Sequence, residues 1–154
     1  HVQTYVQSGN VVFTTGDKDP VALARRIENA IERTLGFRPA VILRTTSEMR
    51  AVIAGNPFAA REDIHPSRLL VTFLAGDPGR EARDKVLAIK TDPEELRMTS
   101  REIFIHYPSG MGRSKLSWIA LEKTLKTPGT GRNWNSVTKL LEIAERLESE
   151  PGRL

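Results

Sequence analysis

The sequence predicts an α+β protein, because short segments of alternating apolar and polar residues are interspersed with longer segments of helical periodicity. Two pairs of the alternating segments surround short polar turns, as the strands of antiparallel hairpins do. A further segment, residues 69–74, is almost continuously apolar, which predicts a central strand covered on both faces. Antiparallel hairpins combined with helices are typical of the α+β class.

The first predicted element is a β-hairpin over residues 2–15. Its two strands alternate apolar and polar residues, and Gly9 and Asn10 in the turn tolerate a positive φ angle. A helix is predicted over residues 20–35, because an aspartate and a proline at its start supply an N-cap and a preset first residue. Gly36 is suited to end this helix.

A strand is predicted next, over residues 40–44, followed by a short helix that ends at Ala54. Thr45 and Glu48 have the spacing of a capping box, in which each side chain accepts a hydrogen bond from the backbone of the other. Residues 56–67 contain two prolines and charges of both signs. This composition predicts a linker between two halves of the chain.

The second half starts with the apolar strand 69–74. Asp77 and Pro78 repeat the combination of cap and proline, and they predict another helix. A second hairpin is predicted from residues 96–99 and 102–106. A glycine-rich loop then leads into a further helix with an apolar side.

A polar, glycine-broken loop over residues 127–133 precedes the last helix. Asn133 is suited to cap this helix, and apolar residues recur within it every three or four positions. The pattern predicts a helix that docks on the rest of the protein through one buried stripe. The stripe consists of Trp134, Val137, Leu140, Leu141 and Ala144.

The two halves have a similar order of elements. A β-α-β-β-α-β unit, the ferredoxin-like arrangement, accounts for both halves if the first one lacks its initial strand and helix. The sequence therefore predicts two tandem ferredoxin-like repeats and a C-terminal helix, together in one compact unit. The predicted boundaries are 1–55 for the first repeat, 56–67 for the linker, 68–126 for the second repeat, and 127–154 for the loop and docking helix.

The composition excludes several classes of protein. The 154 residues suffice to bury an apolar core, and the absence of cysteine excludes disulfide frameworks, iron–sulfur clusters and thiolate zinc sites. No apolar run approaches the roughly 20 residues that span a bilayer, so we expect a cytoplasmic protein without a membrane partner. The net charge of +4 favours anionic partners. Because the chain starts at His1 and enters a strand at once, we also expect a preceding segment.

Three separated segments carry distinctive sequences. They are residues 5–13 (YVQSGNVVF), residues 107–115 (YPSGMGRSK) and residues 130–140 (TGRNWNSVTKL). In this order they resemble a bacterial family known as domain of unknown function 1697, and the resemblance extends over essentially the whole chain. It implies a pair of ferredoxin-like repeats, a further strand at the start, and more often threonine at the position of Gly131. It implies no activity, so the function must be predicted from candidate sites.

Two loops have the composition of an anion site. Residues 110–115 combine glycines with a hydroxyl and a lysine ahead of a helix, and residues 132–135 place an arginine at another helix start. We therefore predict that an anionic small ligand or nucleotide, bearing phosphate or carboxylate, binds at these loops. The predicted ligand-binding residues are Gly110, Gly112, Arg113, Ser114, Lys115, Arg132, Asn133 and Asn135, with Gln7, Ser8 and Asn10 of the first turn as further candidates.

Several motifs of known chemistry are absent or incomplete. The 110–115 loop lacks the P-loop spacing, and its serine precedes its lysine, so nucleotide hydrolysis has no support. Residues 136–139 match S-x-x-K, but the S-D-N partner motif of serine acyl enzymes is missing. His65 and His106 lie far apart in the sequence and have no thiolate partners. We expect neither a metal site nor a cofactor.

Alternatives stay open for both loops. Each is also explained as a structural connection, with a capping side chain in the first loop and with Asn133 as a cap in the second. Binding of a nucleic-acid backbone is a weaker alternative, because the basic residues are spread along the chain. The remaining alternatives are an enzyme that acts on a phosphorylated metabolite, with Lys115 and Arg132 stabilising charge, and a homo-oligomeric interaction module.

Overall fold

The computed structural model describes residues 1–5 and 9–150, and in this part the chain folds into an α+β structure, as predicted. No helix in these two ranges is long and apolar enough to cross a membrane. The strands are β1 (Val2–Tyr5), β2 (Asn10–Phe13), β3 (Leu69–Leu74), β4 (Glu95–Met98), β5 (Glu102–His106) and β6 (Gly129–Asn133). The helices are α1 (Pro20–Leu35), α2 (Thr46–Ala54), α3 (Arg80–Leu87), α4 (Trp118–Leu125) and α5 (Trp134–Ser149).

The strands form two separate antiparallel sheets. The β1–β2 hairpin is one of them, and the other has four strands in the order β4-β5-β3-β6. Leu69 lies opposite His106, and Leu70 lies opposite Asn133. The strand β3 therefore starts at the end of the sheet where β5 and β6 finish, so the segments that follow these two strands emerge at the same end.

Both faces of the four-stranded sheet are covered, as the apolar composition of β3 predicts. On one face, named the α2/α5 face, Val71 packs with Met49 of α2 and Val137 of α5. On the opposite α3/α4 face, Leu74 packs with Val86 of α3 and with residues of α4. Because side chains alternate across a strand, the register assigns each sheet residue to one of these faces.

The predicted helix ends are confirmed where the capping residue lies next to its helix. The Asp19 carboxylate accepts a hydrogen bond from the Ala22 amide at 3.1 Å, and Gly36 ends α1 with a φ angle of 78°. Thr45 and Glu48 form the reciprocal hydrogen bonds of a capping box at α2. These contacts are local, so the sequence alone specifies them.

The predicted strand over residues 40–44 is wrong, because this segment pairs with no strand among residues 1–5 and 9–150. The Val41 amide instead donates to the Glu28 carboxylate of α1 at 2.9 Å. Arg44 extends toward the four-stranded sheet, where its Nε lies 3.4 Å from the Glu102 carboxylate. Side chains, and not a backbone ladder, therefore attach this segment to its neighbours.

The predicted loop over residues 127–133 is also wrong in its second part, which forms the edge strand β6. Gly129 is among the residues that predict a loop. In the structure it lies within the strand, where the lack of a side chain permits close packing. A Cβ atom there would lie 2.8 Å from the Trp118 indole and 3.1 Å from Leu74. The absence of a side chain thus lets the indole of α4 pack directly on β6.

Two helices start later than predicted. Asp77 does not cap α3, because its carboxylate accepts from the Gly79 amide at 2.8 Å and the helix begins only at Arg80. Likewise, α4 begins after the glycine-rich loop and is capped by Ser117. The 110–115 loop therefore precedes the helix start by two residues and does not form it.

Candidate functional site

The segments that contain the predicted ligand-binding residues lie at one end of the four-stranded sheet but on its two different faces. Arg132 lies opposite Val71, which belongs to the α2/α5 face. Lys115 lines a cleft together with Leu116 and Leu121, which belong to the cluster on the α3/α4 face. The two cations are therefore separated by the sheet and do not form one shared site.

Arg132 meets the first hairpin. Its Nε donates a hydrogen bond of 2.7 Å to the Asn10 side-chain oxygen, and its Nη1 donates to the Thr130 hydroxyl at 2.5 Å and to the Gly131 carbonyl at 2.8 Å. Asn10 is buried, and its amide nitrogen donates to the Tyr5 carbonyl at 2.9 Å. The hairpin therefore fixes the orientation of the guanidinium, while burial lowers the pKa of Arg132 below its ordinary value.

The helix α5 begins directly after Arg132. Asn133 caps it in an extended backbone conformation, and its side-chain oxygen accepts from the Ser136 amide at 2.9 Å. The exposed Asn135 occupies the second position of the helix. Because the first amides of a helix lack intrahelical acceptors and carry the positive end of its dipole, this position favours an anion.

Gln7 and Ser8, the other candidates in the first turn, lie outside the described residues. Asn10 is thus the member of that group that the structure places beside Arg132. The two residues are 122 positions apart in the sequence. Sequence reasoning proposed both of them but supplied no local signal that they meet.

The glycine-rich loop has a different internal organisation. Gly110 has a φ angle of 86° and precedes a 3-10 turn over Met111–Arg113 that includes Gly112. The Ser114 hydroxyl accepts from the Leu116 amide at 3.0 Å, so it stabilises the loop itself. Arg113 and Lys115 are exposed.

Sequence reasoning missed Arg68, which lies next to this loop. A side chain at Gly110 would collide with the Arg68 guanidinium, and the Tyr107 amide donates to the Arg68 carbonyl at 2.8 Å. Arg68 is exposed and forms no ion pair within residues 1–5 and 9–150. In the sequence, Arg68 could have been noticed as a basic residue directly before the apolar run of β3.

A second missed group surrounds His106, at the same end of the sheet. Arg61 donates to Asp63 at 2.7 Å and to Glu95 at 3.0 Å, and Glu95 lies 3.6 Å from the buried His106 Nδ1. The His106 ring also lies 6.4 Å from the Phe58 ring. Within the described ranges, no group of three or more His, Asp or Glu side chains is arranged to hold a metal ion. The group therefore connects the 56–67 segment to the sheet.

The hydrogen bonds from Arg61 lower the pKa values of two carboxyl groups, those of Asp63 and Glu95. They hold the pKa of Asp63 at about 2 and that of Glu95 below its ordinary range. We expect Arg61→Met to return the pKa of Asp63 toward about 3.9, the ordinary value of the residue. A carbon-detected NMR titration of the Asp63 carboxyl measures this change.

The same shift predicts a dependence of stability on pH. Because the Asp63 pKa is lower in the folded protein, its contribution is complete above about pH 4 and is lost as the pH falls toward about 2. Arg61→Met should remove this contribution and flatten the acid limb of the stability curve. Arg80→Met, which removes an exposed partner of Asp84, is the control and should leave the Asp63 titration unchanged. An unshifted Asp63 titration in Arg61→Met would contradict the assignment.

Comparison with known proteins identifies a solved structure with a similar fold and the family to which the chain belongs. A solved structure described as a conserved bacterial protein from Streptococcus pneumoniae resembles the chain with a TM-score of 0.66 and 21% sequence identity, over 94% of this chain and 80% of that one. A structural similarity at this low sequence identity shows the fold alone. No curated protein matches the chain. A family model described as a protein of unknown function (DUF1697) matches residues 1–104 of 154, and the chain therefore belongs to the DUF1697 family.

Proposed function

We propose that the chain binds an anionic small ligand, bearing phosphate or carboxylate, at the surface formed by Asn10, Arg132, Asn133 and Asn135, named the Arg132 site. The observation that carries the proposal is the 2.7 Å hydrogen bond by which Asn10 holds the Arg132 side chain beside the start of α5. A fixed guanidinium and a helix start both favour negative charge.

The physical advantage of this arrangement is preorganisation. An arginine side chain has many rotamers, and a ligand that must order it loses part of the binding free energy. Here hydrogen bonds to Asn10, Thr130 and the Gly131 carbonyl orient the guanidinium, so a ligand does not have to order it. Planar donors of an arginine also match the oxygens of phosphate and carboxylate better than a lysine does.

The test is a titration of inorganic phosphate, adenosine monophosphate and short single-stranded RNA, followed by calorimetry. Arg132→Ala should weaken binding of the phosphate-bearing ligand by ~1.5–3 kcal/mol, the scale of hydrogen bonds to charged groups. Arg132→Lys should recover only part of this loss, because lysine lacks the planar donors. Arg25→Ala is the matched control, since it removes the same charge from an exposed position of α1.

The outcomes separate the alternatives. Absence of saturable binding, or equal losses in Arg132→Ala and Arg25→Ala, would contradict the Arg132 site. Either result would favour the alternative of a homo-oligomeric interaction module. That alternative is supported by exposed apolar residues in and after α1, namely Val21, Leu35 and Phe37. Binding of RNA that falls steeply with salt would instead indicate a nucleic-acid backbone as the ligand.

The finer description of the fold is also a proposal, namely two tandem ferredoxin-like repeats. Its support is the order of elements from β3 to β6, which is β-α-β-β-α-β, and the sheet order β4-β5-β3-β6. The β1–β2 hairpin followed by α1 has the same order as the β4–β5 hairpin followed by α4.

A cytoplasmic location is proposed as well, and the absence of cysteine supports it.

A further inference from the structure

A cleft of about 370 Å³ lies on the α3/α4 face, away from the Arg132 site. It is bounded by the connection from α3 to β4 and by the start of α4. Ile89, Leu116 and Leu121 provide its apolar part. Its size falls at the lower end of the range for small-molecule sites, which is about 300–1,000 Å³.

Charges of both signs surround this cleft. Its lining includes Lys90 and Lys115 as well as Asp92 and Glu94. Within the described ranges none of these four side chains forms a salt bridge, although both signs are present around one small volume. Positive and negative side chains that are not paired with each other complement a ligand that carries one positive and one negative group.

A buried tyrosine, Tyr107, belongs to the apolar cluster that includes two residues of the cleft lining, Leu116 and Leu121. Tyr107 is only 7% exposed and packs in the cluster that contains Leu121, yet its hydroxyl has no hydrogen-bond partner within the described part and still reaches solvent. Burial, and then the charge of Glu94, raise the pKa of Tyr107.

The start of α4 adds polarity to one side of the cleft. Ser117 caps the helix by accepting from the Ala120 amide at 3.4 Å, and both residues line the cleft. The positive end of the helix dipole therefore lies on the side of Lys115. The acidic side chains come from the opposite segment, which also carries Lys90, whereas Lys115 is the cation on the side of the helix start.

We propose that this cleft binds a compact zwitterion, an α-amino acid with an apolar side chain, whose carboxylate lies toward Lys115 and the start of α4. The ammonium group lies toward Glu94, and the side chain lies against Ile89 and Leu121. This proposal does not depend on the Arg132 site, because the two lie on opposite faces of the sheet.

The test is an NMR titration of the whole chain with leucine and two analogues that each lack one charge, N-acetylleucine and leucinamide. Leucine should give saturable shifts around the cleft, and each analogue should bind at least about tenfold more weakly. Glu94→Gln and Lys115→Met should each weaken leucine binding by about tenfold or more. Lys123→Met, on α4 but outside the lining, is the control.

Three results would overturn the proposal. They are a lack of saturable leucine binding, equal binding of leucine and N-acetylleucine, and equal losses in Lys115→Met and Lys123→Met. Arg132→Ala should leave leucine binding unchanged, and Lys115→Met should leave phosphate binding at the Arg132 site unchanged. Failure of one site is thereby distinguished from failure of the other.

Discussion

Replacement of Arg44 by methionine should destabilise the protein by about 3–5 kcal/mol, because it leaves Glu102 as an uncompensated charge inside the fold. The side chains of Arg44 and Glu102 are 6% and 9% exposed. Arg44 Nη2 also donates to the Leu74 carbonyl at 2.8 Å and to the Arg101 carbonyl at 3.2 Å, and the guanidinium lies 5.5 Å from the centroid of the Phe73 ring. The change therefore removes the attachment of the 40–44 segment together with a charge partner.

Urea unfolding measures this loss, and Arg50→Met is the matched control. Arg50 contacts Glu145 and Glu148 between α2 and α5, but these side chains are about half exposed. Exposed ion pairs contribute about 0–1 kcal/mol, so the control should change stability little. Adding Glu102→Gln to Arg44→Met should recover part of the loss, because the buried charge is then removed. Similar losses in the two single variants would contradict this account.

Phe104→Ala should destabilise the protein by about 3–5 kcal/mol as well, by leaving a cavity in the middle of the sheet. Phe104 is 0% exposed and lies in β5 opposite Val71, where it packs on the α2/α5 face with Val137. Neighbouring strands hold the backbone of β5 on both sides, which limits relaxation into the cavity.

The matched control for this second change is Phe37→Ala, since Phe37 follows α1 and is 57% exposed. Truncation of a mostly exposed ring should cost less than about 1 kcal/mol. Thermal and urea unfolding of both variants, with the native chain as reference, compare the two positions. If Phe37→Ala lowered the stability as much as Phe104→Ala, the assignment of Phe104 to the buried cluster on the α2/α5 face would be wrong.

The elements that the sequence determined by itself are those whose contacts are local. The helices α1, α2 and α5 start at their predicted caps, because Asp19, Thr45 and Asn133 each bond to amides three residues ahead. The strand β3 was predictable for a related reason, since a strand buried on both faces is apolar along its whole length. A helical period and a continuous apolar run can each be recognised within a single segment, without knowledge of its partners.

Tertiary structure decided the features that depend on distant partners. Residues 40–44 have the composition of a strand but pair with no strand in the described part of the chain, whereas the glycine-rich residues 129–133 pair with β3. Asn10 and Arg132 meet across 122 positions, and Lys115 lies on the other side of the sheet. Strand pairing and side-chain contacts need a partner that the local pattern does not specify, so only the folded chain shows which candidate residues share a site.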